Sequence, residues 1–189
     1  MTGLTAFTVV VVLVGLERLA ELVVSNRNAA WSFERGGRET GQGHYPFMVV
    51  LHSGLLAGML VEAWVRRPDV PAALAWSMLA LAVASQALRW WCITTLGHRW
   101  NTRVLVVPGL APVTGGPYRY LRHPNYVAVV LELAAVPLLH GAWVTALVFS
   151  LANALLLRVR IRAEESALGT AYAEAFAGKP RFLPEVHRG

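Results

Sequence analysis

Apolar residues run from Leu4 to Val24 with only Glu17, Arg18 and Glu21 as charges, all toward the C-terminal end of the run. At about 1.5 Å per residue this length matches a hydrocarbon core of roughly 30 Å, so it predicts a first membrane-spanning helix. Glu17 and Glu21 are four residues apart and share one helix face, which either points into a bundle or reaches the interface by snorkelling, and their expected role is structural. Ser25 to Trp31 predicts a short interfacial helix with Trp31 and Phe33 at headgroup depth. Glu34 to Gly43 then reads as a flexible polar connector. It is glycine-rich, but no strand precedes it and no βαβ unit surrounds it, so it is not read as a nucleotide loop.

Tyr45 to Val65 predicts the second span, carrying His52 and Glu62 and stopped by Arg66, Arg67 and Pro68. A lone His52 in such a helix reads as a packed, hydrogen-bonded residue. Pro71 to Cys92 is the third span, ending on the interface anchor Arg89-Trp90-Trp91. Gly97 to Gly116 breaks the pattern. Val104 to Val107 is β-prone and Pro108-Gly109 is a turn dipeptide, which predicts an irregular loop with a short extended segment or hairpin. Such backbone lies outside the hydrocarbon or inside protein, because lipid cannot satisfy it. Pro124 to Leu139 is apolar apart from Glu132, His140-Gly141 breaks it, and Ala142 to about Leu168 forms the other arm of a helical hairpin. Tyr172 to Phe176 ends that helix or adds one turn, before Gly178-Lys179-Pro180 and the tail Arg181 to Pro184. The expected fold is all-α and integral to the membrane, with five spans.

Composition agrees with this pattern. Of the 189 residues 56% are hydrophobic and only 15% charged, against about 25% charged in a soluble domain. One domain is expected over 1–189, with N-terminal helices over 1–96 and the more polar, chemistry-bearing part over 97–189. The net charge of +6 is not gathered into the aromatic-interleaved patch that tracks nucleic acid, so no nucleic-acid partner is expected. Cys92 is the sole cysteine, which excludes an intrachain disulfide, a redox pair and a paired-cysteine metal site. The first apolar run lacks a basic leader and a small-residue cleavage pattern and is read as retained. Segments 25–44, 89–123 and 158–189 carry three, five and six Lys/Arg, against two at Arg66 and Arg67. The positive-inside rule then places the N-terminus outside and the polar loops in the cytoplasm.

The densest chemistry lies in Gly116-Pro-Tyr-Arg-Tyr-Leu-Arg-His-Pro-Asn-Tyr126. Pro124 suits the first turn of a helix, whose free N–H groups and partial positive charge make a seat for an anionic group. Read by composition alone, the same cluster also fits an aromatic and basic membrane boundary. On the last helix Asn153, Arg160 and Glu164 are seven and four residues apart and fall within about 40° of one another, a polar stripe running to the cytoplasmic edge. Arg160 and Glu164 form either an exposed intrahelical pair or a wall facing the Tyr118 to Tyr126 stretch.

Together these motifs resemble the isoprenylcysteine carboxyl methyltransferase family. The resemblance rests on Gly116 to Tyr126, on Arg160-Ile-Arg-Ala-Glu164-Glu165-Ser-Ala-Leu168 about 35 residues later, on Tyr172, and on the tail Arg181-Phe-Leu-Pro184, and it covers roughly Arg99 to Pro184. Glu17-Arg18, Ser25-Asn-Arg-Asn28, Gly43-His-Tyr45, Arg89-Trp-Trp-Cys-Ile93 and Gly97-His-Arg-Trp-Asn-Thr-Arg103 are similar to a bacterial branch associated with type III polyketide synthases, which O-methylates alkylpyrones or alkylresorcinols. The resemblance implies an S-adenosyl-L-methionine-dependent methyltransferase of the bacterial inner membrane, with a lipophilic acceptor entering between helices from the lipid. It implies cofactor contacts from Leu110, Ala111, Pro112, Val113, Tyr118, His123, Pro124, Asn125, Tyr126 and Glu164. Arg160 is implied to face the acceptor, and Arg103 to replace a family glutamine. An ionised acceptor needs no general base; for a resorcinol hydroxyl, His123 and Glu132 are the sequence candidates. A prenylated thiol-acid or phospholipid amine as acceptor, and a non-enzymatic membrane binder or transporter, are the alternatives.

Overall fold

A computed structural model describes residues 2–182; Leu183 and Pro184 of the expected tail lie outside the described residues. The described residues form five α-helices and two short strands: α1 (Thr2–Phe33), β1 (Arg38–Thr40), α2 (Tyr45–Arg66), α3 (Ala72–Leu96), β2 (Val104–Val106), α4 (Pro124–Leu138) and α5 (Trp143–Ala175). Among the described residues, three helical stretches are long and apolar enough to cross a membrane: Gln42–Arg66, Ala72–Arg99 and Trp143–Ala175. α4 is apolar but shorter, at 15 residues. It packs most closely against α3, and both α4 and α2 pack against α5.

Apolar side chains from all five helices meet in the core, with Phe149 and Leu156 of α5 packed against it. Phe7 and Val11 of α1, Leu55 and Met59 of α2, Ala82 of α3 and Leu133 of α4 are all buried there, while large aliphatics such as Val12, Leu13, Val65 and Leu155 point outward. Outward aliphatics suit a bundle whose solvent is lipid. At the α4–α5 turn Gly141 adopts φ 68°, where a Cβ would press on Pro68 and Val70. Glu62 of α2 then accepts from the first N–H groups of α5, Val144 N at 3.1 Å and Thr145 N at 2.7 Å. A carboxylate there meets both the unpaired donors and the helix dipole.

Two expectations change. Ser25 to Trp31 is no separate interfacial helix: α1 continues unbroken to Phe33. The extension carries Ser25 and Asn28 to the loop after α3, where the Ser25 hydroxyl donates to Asn101 Oδ1 at 2.9 Å and Asn28 Nδ2 donates to Trp100 O at 2.7 Å. These bonds reward a rigid continuation. The connector Glu34 to Gly43 contains β1, which pairs antiparallel with β2, Arg38 opposite Val106 and Thr40 opposite Val104. The extended segment expected after Gly97 is therefore present, but its partner is remote rather than a local hairpin. α5 ends at Ala175, within the Tyr172 to Phe176 segment expected to end it or add one turn, and it breaks at Gly169, φ 68° and ψ −158°, beside the expected end of the long arm near Leu168.

Inside the bundle the charges of α1 are neutralised across helices. Arg18 Nη1 donates to Glu21 Oε2 and Arg18 Nη2 to Glu132 Oε2, both at 2.7 Å. Arg89 grips Glu21 through Nε and through Nη2 at 2.7 Å, and Trp90 Nε1 donates to Glu17 at 2.9 Å. Glu17 and Glu21 are structural, as expected. His52 likewise bonds Met48 O through Nδ1 at 2.8 Å.

Candidate functional site

A cavity of about 540 Å³ opens where the loop 99–113, the start of α4 and the outer half of α5 converge. That volume is ordinary for a small-molecule site, roughly 300–1,000 Å³. Leu110, Ala111, Pro112, Val113, Tyr118, His123, Asn125, Tyr126, Arg160 and Glu164 all line it. Pro124 is buried at the first turn of α4 and is not on the lining. Arg103 lines it too, 3.6 Å from Glu39 of β1 and over the Tyr45 ring. Strand pairing therefore sets the position of Arg103.

Tyr126 joins the two polar helix faces. Its hydroxyl accepts from Arg160 Nε at 2.8 Å and donates to Glu164. Arg160 is buried and also donates through Nη1 to Thr102 O at 2.7 Å, with Met48 Sδ at 3.1 Å. Among the described residues, the hydrogen bonds of Arg160 run through Nε and Nη1 and that of Glu164 through Oε2. The stripe on α5 thus faces the Tyr118 to Tyr126 stretch through Tyr126 instead of closing on itself as an exposed pair. Asn153, the third member, is buried deeper in the bundle and does not line the cavity.

The rest of the rim is pinned from several elements. Arg99 donates to Ala111 O and so fixes the loop 110–113 that covers one side. His123 stacks on Tyr126 with ring centroids 5.3 Å apart, and its Nε2 lies 3.0 Å from Glu165 Oε1. Tyr118 packs with Cys92, Tyr172 and Phe176; burial first, then the neighbouring Cys92 thiol and Glu164 carboxylate, pushes its phenol well above the usual tyrosine range and keeps it a neutral donor. Glu132, one sequence candidate for a base, is held by Arg18 and does not line the cavity.

Among the described residues, two buried polar atoms of lining residues have no partner: Asn125 Oδ1 and Trp100 Nε1. An unmet acceptor and an unmet donor beside one cavity are costly unless a ligand or water satisfies them. With the Glu164 carboxylate on the lining, this donor and acceptor set fits S-adenosylmethionine, whose purine and amino-acid ends need both kinds of partner. Trp100, Arg99, Tyr172 and Phe176 were not named as site residues from sequence. The motif Gly97 to Arg103 and the Tyr172 position were visible signals, but their side-chain directions were not.

The isoprenylcysteine carboxyl methyltransferase (ICMT) family model matches residues 78–170, a stretch that runs from within α3 to the Gly169 break and holds every expected site residue. The chain is 37% identical over 162 residues to the uncharacterized protein YpbQ of Bacillus subtilis, covering 86% of this chain and 96% of that one. It is 26% identical over 152 residues to an uncharacterized protein of Haemophilus influenzae, covering 80% and 88%. To the cobalt-zinc-cadmium resistance protein CzcN of Cupriavidus metallidurans it is 30% identical over 119 residues, 61% of this chain and 51% of that one. With the apolar helices, the shared motifs and these matches in hand, the chain belongs to the isoprenylcysteine carboxyl methyltransferase family of membrane methyltransferases.

Proposed function

We propose that this protein is an S-adenosylmethionine-dependent O-methyltransferase of the bacterial inner membrane that acts on a lipophilic acceptor, a long-chain alkylpyrone or related polyketide. The observation that carries the reading is the Arg160–Tyr126–Glu164 arrangement on the wall of a cavity, in a chain of a methyltransferase family. When bound, the cofactor supplies an electrophilic methyl group on a sulfonium centre. Glu164 would hold the ammonium end through its carboxylate, while Asn125 Oδ1 and Trp100 Nε1, which have no partner among the described residues, would supply an acceptor and a donor. Arg160, fixed by Tyr126 and Thr102, directs its remaining nitrogen to an anionic acceptor oxygen and holds it in line. An acceptor that is already ionised gives up no proton in the step, so no general base is required.

The acceptor ring draws on the similarity of the N-terminal half to a polyketide-associated branch; a prenylcysteine carboxylate fits the family name equally well. A reading of five spans, with α1 and α4 as well as the three long apolar helices, and of a cytoplasmic cavity is supported by the outward aliphatics of α1 and the basic loops. The test is a panel in detergent with methyl-labelled S-adenosylmethionine and four acceptors: a 6-alkyl-4-hydroxy-2-pyrone, an alkylresorcinol, an S-farnesylcysteine derivative and phosphatidylethanolamine. The O-methylpyrone is the expected product. A preference for the farnesylated acid replaces the acceptor, and an N-methyl product overturns the O-methyl reading.

A further inference from the structure

The segment after Gly169 borders the cavity. The break turns the chain so that Tyr172 and Phe176 return to the lining and pack on Tyr118. Residues 179–182 then run beside Arg122 and His123. The Arg122 N–H donates to Pro180 O at 3.0 Å and the His123 N–H to Arg181 O at 3.2 Å. Arg122 Nε donates to Lys179 O at 2.6 Å, and Lys179 Nζ donates to Tyr118 O at 3.2 Å. All four bonds tie this strap to the Tyr118–His123 wall.

Glu165 stands at the crossing. Its Oε1 accepts from Arg181 Nε at 3.1 Å and lies 3.0 Å from His123 Nε2, and its Oε2 accepts from Arg181 Nη2 at 2.7 Å. His123 is buried on the cavity wall, whereas the Arg181 side chain is 54% exposed. Neither Glu165 nor Arg181 lines the cavity. One carboxylate therefore couples a buried ring of the site to an exposed cation of the strap. Exposed ion pairs are individually weak, and segments held by solvent-facing bonds open locally without global unfolding.

We propose that Glu165 is a positioning residue that latches the 170–182 strap across the cavity, so that a polar ligand exchanges with the aqueous side only when the His123–Glu165–Arg181 cluster opens. The nature of that ligand rests on the cofactor reading above. Arg181 makes no cavity contact, so its effect on ligand exchange separates a latch from a direct binding residue.

The test uses the full chain in detergent and two rates. In Arg181→Met, hydrogen exchange at the Arg122 and His123 amides is expected to rise about tenfold without ligand, and dissociation of S-adenosylhomocysteine to quicken about fivefold with little change in association. Arg181→Lys, which keeps one charge on the strap, is expected to fall between parent and Arg181→Met. Should Arg181→Met fail to fold, Glu165→Gln keeps the side-chain size and reads the same two rates. Unchanged amide exchange overturns the latch; faster exchange with unchanged dissociation overturns its role in ligand passage. A parent that binds no S-adenosylhomocysteine overturns the cofactor reading and the passage role with it, while amide exchange still decides the latch.

Discussion

Tyr126 is the side chain on which the site turns, because one hydroxyl accepts from Arg160 and donates to Glu164. Removing it leaves a buried guanidinium N–H and a carboxylate oxygen without their partner, a loss of about 1–3 kcal/mol. Tyr126→Phe is therefore expected to weaken S-adenosylhomocysteine binding by roughly tenfold or more on that basis, measured by calorimetry, with turnover falling alongside it. If both stay at the parent value, the phenol does not organise these helices. At this scale the sequence was informative: helical spacing put Arg160 and Glu164 on one face before any partner was known. It could not say that they share a phenol instead of pairing with each other.

Among the elements, α1 departs most from its sequence pattern. Its apolar half is an ordinary span, but its polar end supplies Arg18 and Glu21 to an ion cluster with α3 and α4, and Ser25 and Asn28 to the loop that lines the cavity. Breaking one member of a buried pair strands the other charge, at a cost of about 3–5 kcal/mol. Glu21→Leu is expected to lose that much stability in a denaturant titration in detergent, because Arg89 is left buried and unpaired. The double variant Glu21→Leu with Arg89→Leu is expected to recover most of the loss. Equal destabilisation in both variants would mean that packing, not charge, sets the value of the site. The β1–β2 pair makes the same point for strands: Thr40 meets Val104 across a helical pair, which no local turn signal announces.

For the whole molecule, the asymmetry of basic residues predicts a cavity that faces the cytoplasm. Cys92 is buried, so it gives a silent background for reporter cysteines at the exposed positions Arg119 and Asp69. Arg119→Cys is expected to react with an impermeant maleimide only after permeabilisation, and Asp69→Cys in intact cells; the opposite pattern reverses the orientation. By itself the sequence determined the helical segments, their stop signals and the family motifs, because periodicity and turn chemistry act between residues close in the chain. Only the tertiary structure decided that α1 continues to hold the Gly97–Arg103 loop, that β1 pairs with β2, that Glu132 belongs to an ion cluster, and that the strap returns to His123. Each of these depends on which distant groups packing brings within hydrogen-bond reach, and buried polar groups take whatever partner the assembled bundle presents to them.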